Sequence, residues 1–294
     1  MRDCHPAKHS LTMQKPYFKL CVIAGTAAIL AACSGQPGVS RSVKVSNFVI
    51  DETIKTASQS YAFADSTLGS DGYACISASV TWPDKLGDSR LRTLQDTLIA
   101  RTFATVARGQ SVDSAMKRFV SDTEMFGLDG ARWWAVDTVP SDEAGERALY
   151  VDVTAQIVYL DEGMVTYRIA STSYMGGAHP NTVADVFTYD LANATVLGAA
   201  NMFVPGSEAK VLGIVRQQLA DDLHTTVDKL ADSGIFTDQM DNLGSPYLSG
   251  DAVVFHYNAY DIAPYAMGDF NISVWASDLA DYLSPEVKAL VMGE

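Results

Sequence analysis

Leu149-Tyr150-Val151-Asp152-Val153-Thr154-Ala155-Gln156-Ile157-Val158-Tyr159, followed after Asp161-Glu162-Gly163 by Val165-Thr166-Tyr167-Arg168-Ile169, decides the fold. Successive side chains of a strand point to opposite sides. Leu149, Val151, Val153, Ala155, Ile157 and Tyr159 therefore share one face, with Tyr150, Asp152, Thr154 and Gln156 on the other. Val165, Tyr167 and Ile169 alternate with Thr166 and Arg168 in the same way. Two alternating runs around a turn predict an antiparallel hairpin with one apolar and one wet face.

Outward from this hairpin, strands and helices alternate without a βαβ rhythm. Phe48–Ile50, Tyr73–Thr81, Val183–Tyr189, Val253–Tyr257 and Phe270–Val274 read as strands, and Trp82-Pro83-Asp84 breaks the second. Asp88 or Ser89 caps a helix whose apolar stripe includes Leu91, Leu94, Leu98, Ile99 and Val106. Ser111 caps the next, where Val112, Ala115, Met116, Phe119 and Val120 recur at helical spacing. Pro205-Gly206-Ser207 opens a helix with Val211, Leu212, Val215, Leu219 and Leu223 on one side. Ser284-Pro285 starts a last short one. The expected class is α+β, mostly antiparallel sheets with packed helices in two adjoining modules.

The chain has 294 residues, 48% hydrophobic and 19% charged, with a net charge of −14. It is too apolar to be disordered. Its acid surplus excludes a nucleic-acid partner, since phosphate binding needs a basic face. The surplus suits a basic partner or a soluble surface.

The N-terminus reads as an address. Lys15 and Lys19 precede an uncharged run from Leu20 to Ala32, too short for the roughly 18–20 residues of a membrane span. The run ends in Leu30-Ala31-Ala32-Cys33, a lipobox-like sequence with cleavage between Ala32 and Cys33 and lipid attachment at Cys33. Met13 gives a start with a signal of ordinary length. The expected plan is a signal over 1–32, a Ser/Gly-rich tether over 33–47, and modules over 48–175 and 176–294. Cleavage removes Arg2, Lys8, Lys15 and Lys19 with Asp3, leaving 262 residues, 17 bases, 34 acids and a net charge of −17. Cys4 and Cys21 leave with the signal. Cys75 then remains as a lone, buried thiol with no internal disulfide. The expected location is the bacterial cell envelope, membrane-anchored and facing the periplasm or the outside.

Catalytic signatures are absent: no Gly-x-Ser-x-Gly, no His-Glu-x-x-His, no phosphate-binding loop and no Cys-x-x-Cys. After processing the histidines are His179, His224 and His256. His224 ends an amphipathic helix, where a cation suits the dipole. His256 stands on the opposite face from Phe255 and Tyr257. No metal or cofactor is expected, and Asp221-Asp222 reads as solvated charge.

Two segments stand out. Tyr174-Met175-Gly176-Gly177-Ala178-His179-Pro180-Asn181-Thr182 is a shaped loop: its glycines admit unusual backbone angles and Pro180 holds His179 extended. Tyr257-Asn258-Ala259-Tyr260-Asp261-Ile262-Ala263-Pro264-Tyr265-Ala266-Met267-Gly268 is a stiff aromatic loop, and tyrosines serve binding surfaces at low entropic cost. Gly176, Gly177, His179, Pro180, Asn181, Tyr257, Tyr260, Asp261, Pro264 and Tyr265 are the candidate binding residues; each segment also reads as an ordinary structural corner.

Gly176-Gly177-Ala178-His179-Pro180 followed by Tyr260-Asp261-Ile262-Ala263-Pro264-Tyr265-Ala266-Met267-Gly268 resembles an extracytoplasmic domain-of-unknown-function family. That family includes the lysozyme-binding outer domain of the anti-sigma factor RsiV and the non-catalytic region of the peptidoglycan deacetylase PdaC. The resemblance implies a non-enzymatic, lipid-tethered module binding a lysozyme-like basic protein or peptidoglycan. The alternative is a hydrolase or deacetylase of envelope glycans, with His179 or His256 gathered beside carboxylates.

Overall fold

The computed structural model describes residues 43–45, 48–50, 54–65, 70–83, 89–104, 109–138 and 148–293. The signal over 1–32, Ala32, Cys33, Val106 and the expected tether apart from 43–45 lie outside the described residues. Within the tether, Val43–Val45 (β1) pairs antiparallel with Phe48–Ile50 (β2). Among the described residues, no helix is long and apolar enough to cross a membrane.

The fold is α+β and its sheets are mostly antiparallel. The larger sheet runs β5-β3-β4-β6-β7-β8-β9. Its strands are β3 (Ile54–Asp65), β4 (Ser70–Thr81), β5 (Arg132–Val136), β6 (Ala148–Leu160), β7 (Met164–Tyr174), β8 (Asn181–Asp190) and β9 (Thr195–Leu197). The smaller runs β10 (Ser245–Ser249), β11 (Ala252–Tyr257), β12 (Phe270–Trp275). The decisive hairpin is β6–β7. β4 and β6 are parallel, joined by a crossover carrying α1 (Ser89–Phe103) and α2 (Val112–Val120). The division expected between residues 175 and 176 falls in the turn between β7 and β8, which pair from Met164↔Asp190 to Ser173↔Asn181.

Apolar stripes place the helices. Leu91, Leu94, Leu98 and Ile99 of α1 and Val112, Ala115 and Met116 of α2 pack on Ala78, Val80, Val153, Tyr167 and Phe187 of the sheet. Ser111 caps α2 as expected, accepting from Ser114 N. α3 (Ala199–Met202) is a single turn. α4 (Glu208–Asp222) lays Val211, Val215 and Leu219 against Val253, Phe255, Ile272 and Val274 of the small sheet. α5 (Pro285–Met292) starts with Ser284 accepting from Val287 N.

Three expectations change. The alternation of β6 is broken by a bulge between Ile157 and Tyr159, which inserts Val158 into the ladder. Tyr159 thereby leaves the face of Ile157 and packs against the C-terminal core, while Ile157 stays with the helices. The second face of β7 and β8 is not wet where β10 covers it. There Thr166 and Thr188 are fully buried. Thr166 Oγ1 donates to Leu248 O at 2.8 Å, and Leu248 N donates to Thr188 Oγ1 at 2.7 Å. The 2.8 Å hydroxyl contact closes the ring with Thr188 as donor. Thr188→Val leaves the Leu248 N–H unpaired, and a loss of about 2 kcal/mol in denaturant unfolding is expected. Cys75, expected to be a lone, buried thiol, is half-buried and disulfide-bonded. The other cysteines of the sequence lie outside the described residues.

Candidate functional site

The first loop links β7 to β8. Gly176 and Gly177 adopt φ of +87° and +111°, where a side chain is strained. Tyr174 Oη donates to Gly177 O at 2.9 Å and closes the turn. His179 is exposed, and its Nδ1 lies 2.9 Å from Pro180 O. A carbonyl only accepts, so Nδ1 carries the hydrogen.

The second loop links β11 to β12. Asp261 folds it: Asn258 N donates to Asp261 Oδ2 at 2.7 Å, and Asp261 N donates to Asn258 O at 3.0 Å. Tyr260 is half-exposed with φ +73°, a left-handed conformation uncommon outside glycine. Pro264 leads into a 3-10 turn over Tyr265–Met267.

The two loops meet. Tyr265 Oη donates to Pro180 O at 2.8 Å. Its ring stacks on His179, centroids 3.8 Å apart and planes 15° apart. Tyr260 lies 5.5 Å from Tyr265, centroid to centroid. Beneath, Asn258 replaces a neighbouring strand for Ala184 of β8, accepting from its N–H at 2.6 Å and donating to its carbonyl at 3.1 Å. This fixes Asn258 Oδ1 as an acceptor, so the His256 Nε2 at 3.3 Å from it is the donor. His256 Nδ1 lies 3.0 Å from Asn271 Oδ1 and 3.9 Å from Asp269 Oδ2, and Asp269 faces Arg168 at 3.8 Å.

His179, Pro180, Tyr260 and Tyr265 thus form one partly exposed surface, flanked by exposed Gly176, Gly177, Asn181, Asp261 and Pro264. Tyr257 does not join it. It shares the core face with Phe255, is 1% exposed, and donates to Asn242 O at 2.7 Å. His256 faces the other way, as expected, but its side chain is fully buried. His224 follows α4, exposed, at φ +54°. Among the described residues, no three His, Cys, Asp or Glu side chains gather to hold a metal.

Sequence reasoning missed Asn258, whose partners are backbone atoms, and the pair Tyr150 and Tyr174, centroids 6.0 Å apart on facing strands. Two tyrosines on the polar side of the alternating hairpin were the available signal.

Several tyrosines titrate late. Burial, then the Asp269 charge, raises Tyr247 against the lowering effect of Arg168, for a net value of about 12. Burial and then Asp161 push Tyr159 to about 12. Burial moves Tyr167 and Tyr257 upward as well. A group raised in the folded state supports folding below its unfolded value, near 10, and loses that support as pH rises through its folded value. Stability is therefore expected to fall from about pH 10 to about pH 12. Absorbance titration should show a tyrosine fraction ionising only together with loss of near-ultraviolet dichroism.

Residues 200–276 match the family model described as protein of unknown function (DUF3298). The peptidoglycan-N-acetylmuramic acid deacetylase PdaC of Bacillus subtilis (strain 168) is 23% identical over 186 residues, spanning 62% of this chain and 38% of that protein. A crystal structure of a DUF3298 family member from Bacteroides fragilis superposes with a TM-score of 0.64 at 20% identity, covering 82% of this chain and 98% of that one. A DUF3298 family protein from Pseudomonas aeruginosa PAO1 gives 0.51 at 17% identity, covering 80% and 95%. These likenesses establish the fold. The resemblance expected from the two loop motifs is borne out: the chain carries a DUF3298 match over residues 200–276 and shares its architecture with solved members of that family.

Proposed function

We propose that the protein is a lipid-anchored, non-enzymatic module of the bacterial cell envelope that binds an envelope partner through the joined loops. The observation that carries this reading is the tyrosine–histidine surface made by two distant segments, with Tyr265 bonded to Pro180 and stacked on His179. Aromatic rings held by hydrogen bonds present contact area without losing much freedom on binding. The similarity to PdaC, named as a peptidoglycan deacetylase, supports an envelope setting.

The candidate partners are a lysozyme-like basic protein and peptidoglycan. The acid surplus steers a basic protein, so that complex weakens with salt. The enzymatic alternative draws on His256 beside Asp269, but that ring is enclosed and both nitrogens face amide oxygens.

The test is capture of the intact chain by purified peptidoglycan and by lysozyme at low ionic strength. Binding to one of them, weakened about tenfold by Tyr265→Ala through loss of an aromatic anchor, is expected. Binding to neither overturns the reading, and glycan turnover abolished by His179→Ala favours the enzyme. Processing leaves Cys33 as the one cysteine besides Cys75, so the Cys75 disulfide competes with acylation. Labelled palmitate on Cys33, lost in Cys33→Ser, tests the anchor, and a Cys33–Cys75 disulfide in the processed chain overturns it.

A further inference from the structure

The face of the larger sheet turned away from α1 and α2 continues the loop surface. The register aligns Ser58 of β3, Ser77 of β4, Asp152 of β6 and Thr172 of β7 in one row, extended by Thr182 of β8. Ser77 Oγ donates to Asp152 Oδ1 at 2.6 Å, and the Thr172 and Thr182 hydroxyls lie 2.9 Å apart. Ser79 and Thr154 repeat the pattern in the next row. All these residues are exposed or half-buried. Tyr150 and Tyr174 stand at the end of the rows, and Tyr174 and Tyr265 both donate to the 174–182 turn, at Gly177 O and Pro180 O. Arg168 and Asp269 join the floor to the C-terminal sheet at the other side.

We propose that this hydroxyl-lined face, with Tyr150, Tyr174 and Tyr265 as its aromatic rim, binds a glycan strand. The proposal rests on the binding-module reading and names its ligand class. Charge decides against a polyanion: the rows carry no lysine or arginine, and the flanking Arg168 is matched by Asp269. Serine and threonine both donate and accept, as a sugar hydroxyl does, and Asp152 keeps acceptor capacity beyond its bond from Ser77. Tyrosine rings pack on the apolar C–H faces of a pyranose while their hydroxyls stay wet. Strands about 4.8 Å apart, with same-face residues about 6.7 Å apart along each, give a regular lattice that a repeating polymer meets at several places.

The test uses the intact chain and the N-acetylglucosamine hexamer, followed by calorimetry and amide chemical shifts. Shift changes are expected on β4, β6 and β7 and in the 174–182 turn of the unmutated protein. Tyr150→Ala and Asp152→Asn should each weaken binding about tenfold, with little dependence on salt. Lys117→Ala, exposed on α2 at the opposite side of the sheet, should leave affinity unchanged. No hexamer binding at millimolar concentration, shifts confined to α1 and α2, or equal loss in Lys117→Ala overturns the proposal. A lysozyme complex without hexamer binding overturns the glycan assignment and leaves the binding module standing; binding of neither overturns both.

Discussion

Asn258→Ala is expected to destabilise the fold by about 3 kcal/mol and to uncouple the two loops. The substitution strips a buried strand position of its partner: the N–H and carbonyl of Ala184 lose their bonds, and His256 Nε2 loses its acceptor. Each unpaired buried group costs about 1–3 kcal/mol, less whatever entering water restores. At about 2–4 °C per kcal/mol for a chain of this size, the melting temperature should drop by about 6–12 °C. Partner binding should weaken with it, because the Asn258 turn positions Tyr260 and Tyr265 against His179. Asn258→Asp keeps an acceptor for Ala184 N and should retain part of the stability. A melting temperature within about 2 °C of the parent would show that Asn258 is not the fastening.

Gly244→Ala is the second large effect. Gly244 precedes β10 at φ +57°, and an added Cβ would lie 2.4 Å from His256 O and 3.0 Å from the Tyr257 ring. The left-handed backbone costs roughly 1–2 kcal/mol with a side chain, and the overpacked contact adds about 1–3. The obstacle is backbone, so β10 must move off β11. That movement pulls on Leu248, which Thr166 and Thr188 hold to the larger sheet. A loss of about 2–5 kcal/mol in denaturant unfolding is expected, with faster amide exchange along β10. Gly213→Ala is the control, since α4 leaves open space at that position.

Strong local signals made part of this fold legible. The Leu149–Ile169 alternation, the serine caps of α2 and α5 and the apolar stripe of α4 each combine pattern with a stop or start residue. β3 and β10 were not legible. Ile54–Asp65 is built largely from serine, alanine and threonine, and Pro246 interrupts β10, a place proline tolerates because the strand is an edge. The bulge at Val158 had no marker, since Ile157-Val158-Tyr159 is apolar throughout. For the site, glycine, proline and tyrosine content picked out both loops. Their union was hidden, because it runs through Pro180 O and the Ala184 backbone, groups every residue type carries. Tyr257 was misplaced although its parity with Phe255 already put it on the core face.

Hydrogen–deuterium exchange of the intact chain, with and without peptidoglycan fragments or lysozyme, tests the central claim most directly. One joined surface predicts that residues 174–184 and 257–268 gain protection together, at the same partner concentration. Protection of one segment without the other, or of neither while a partner is bound, would contradict it.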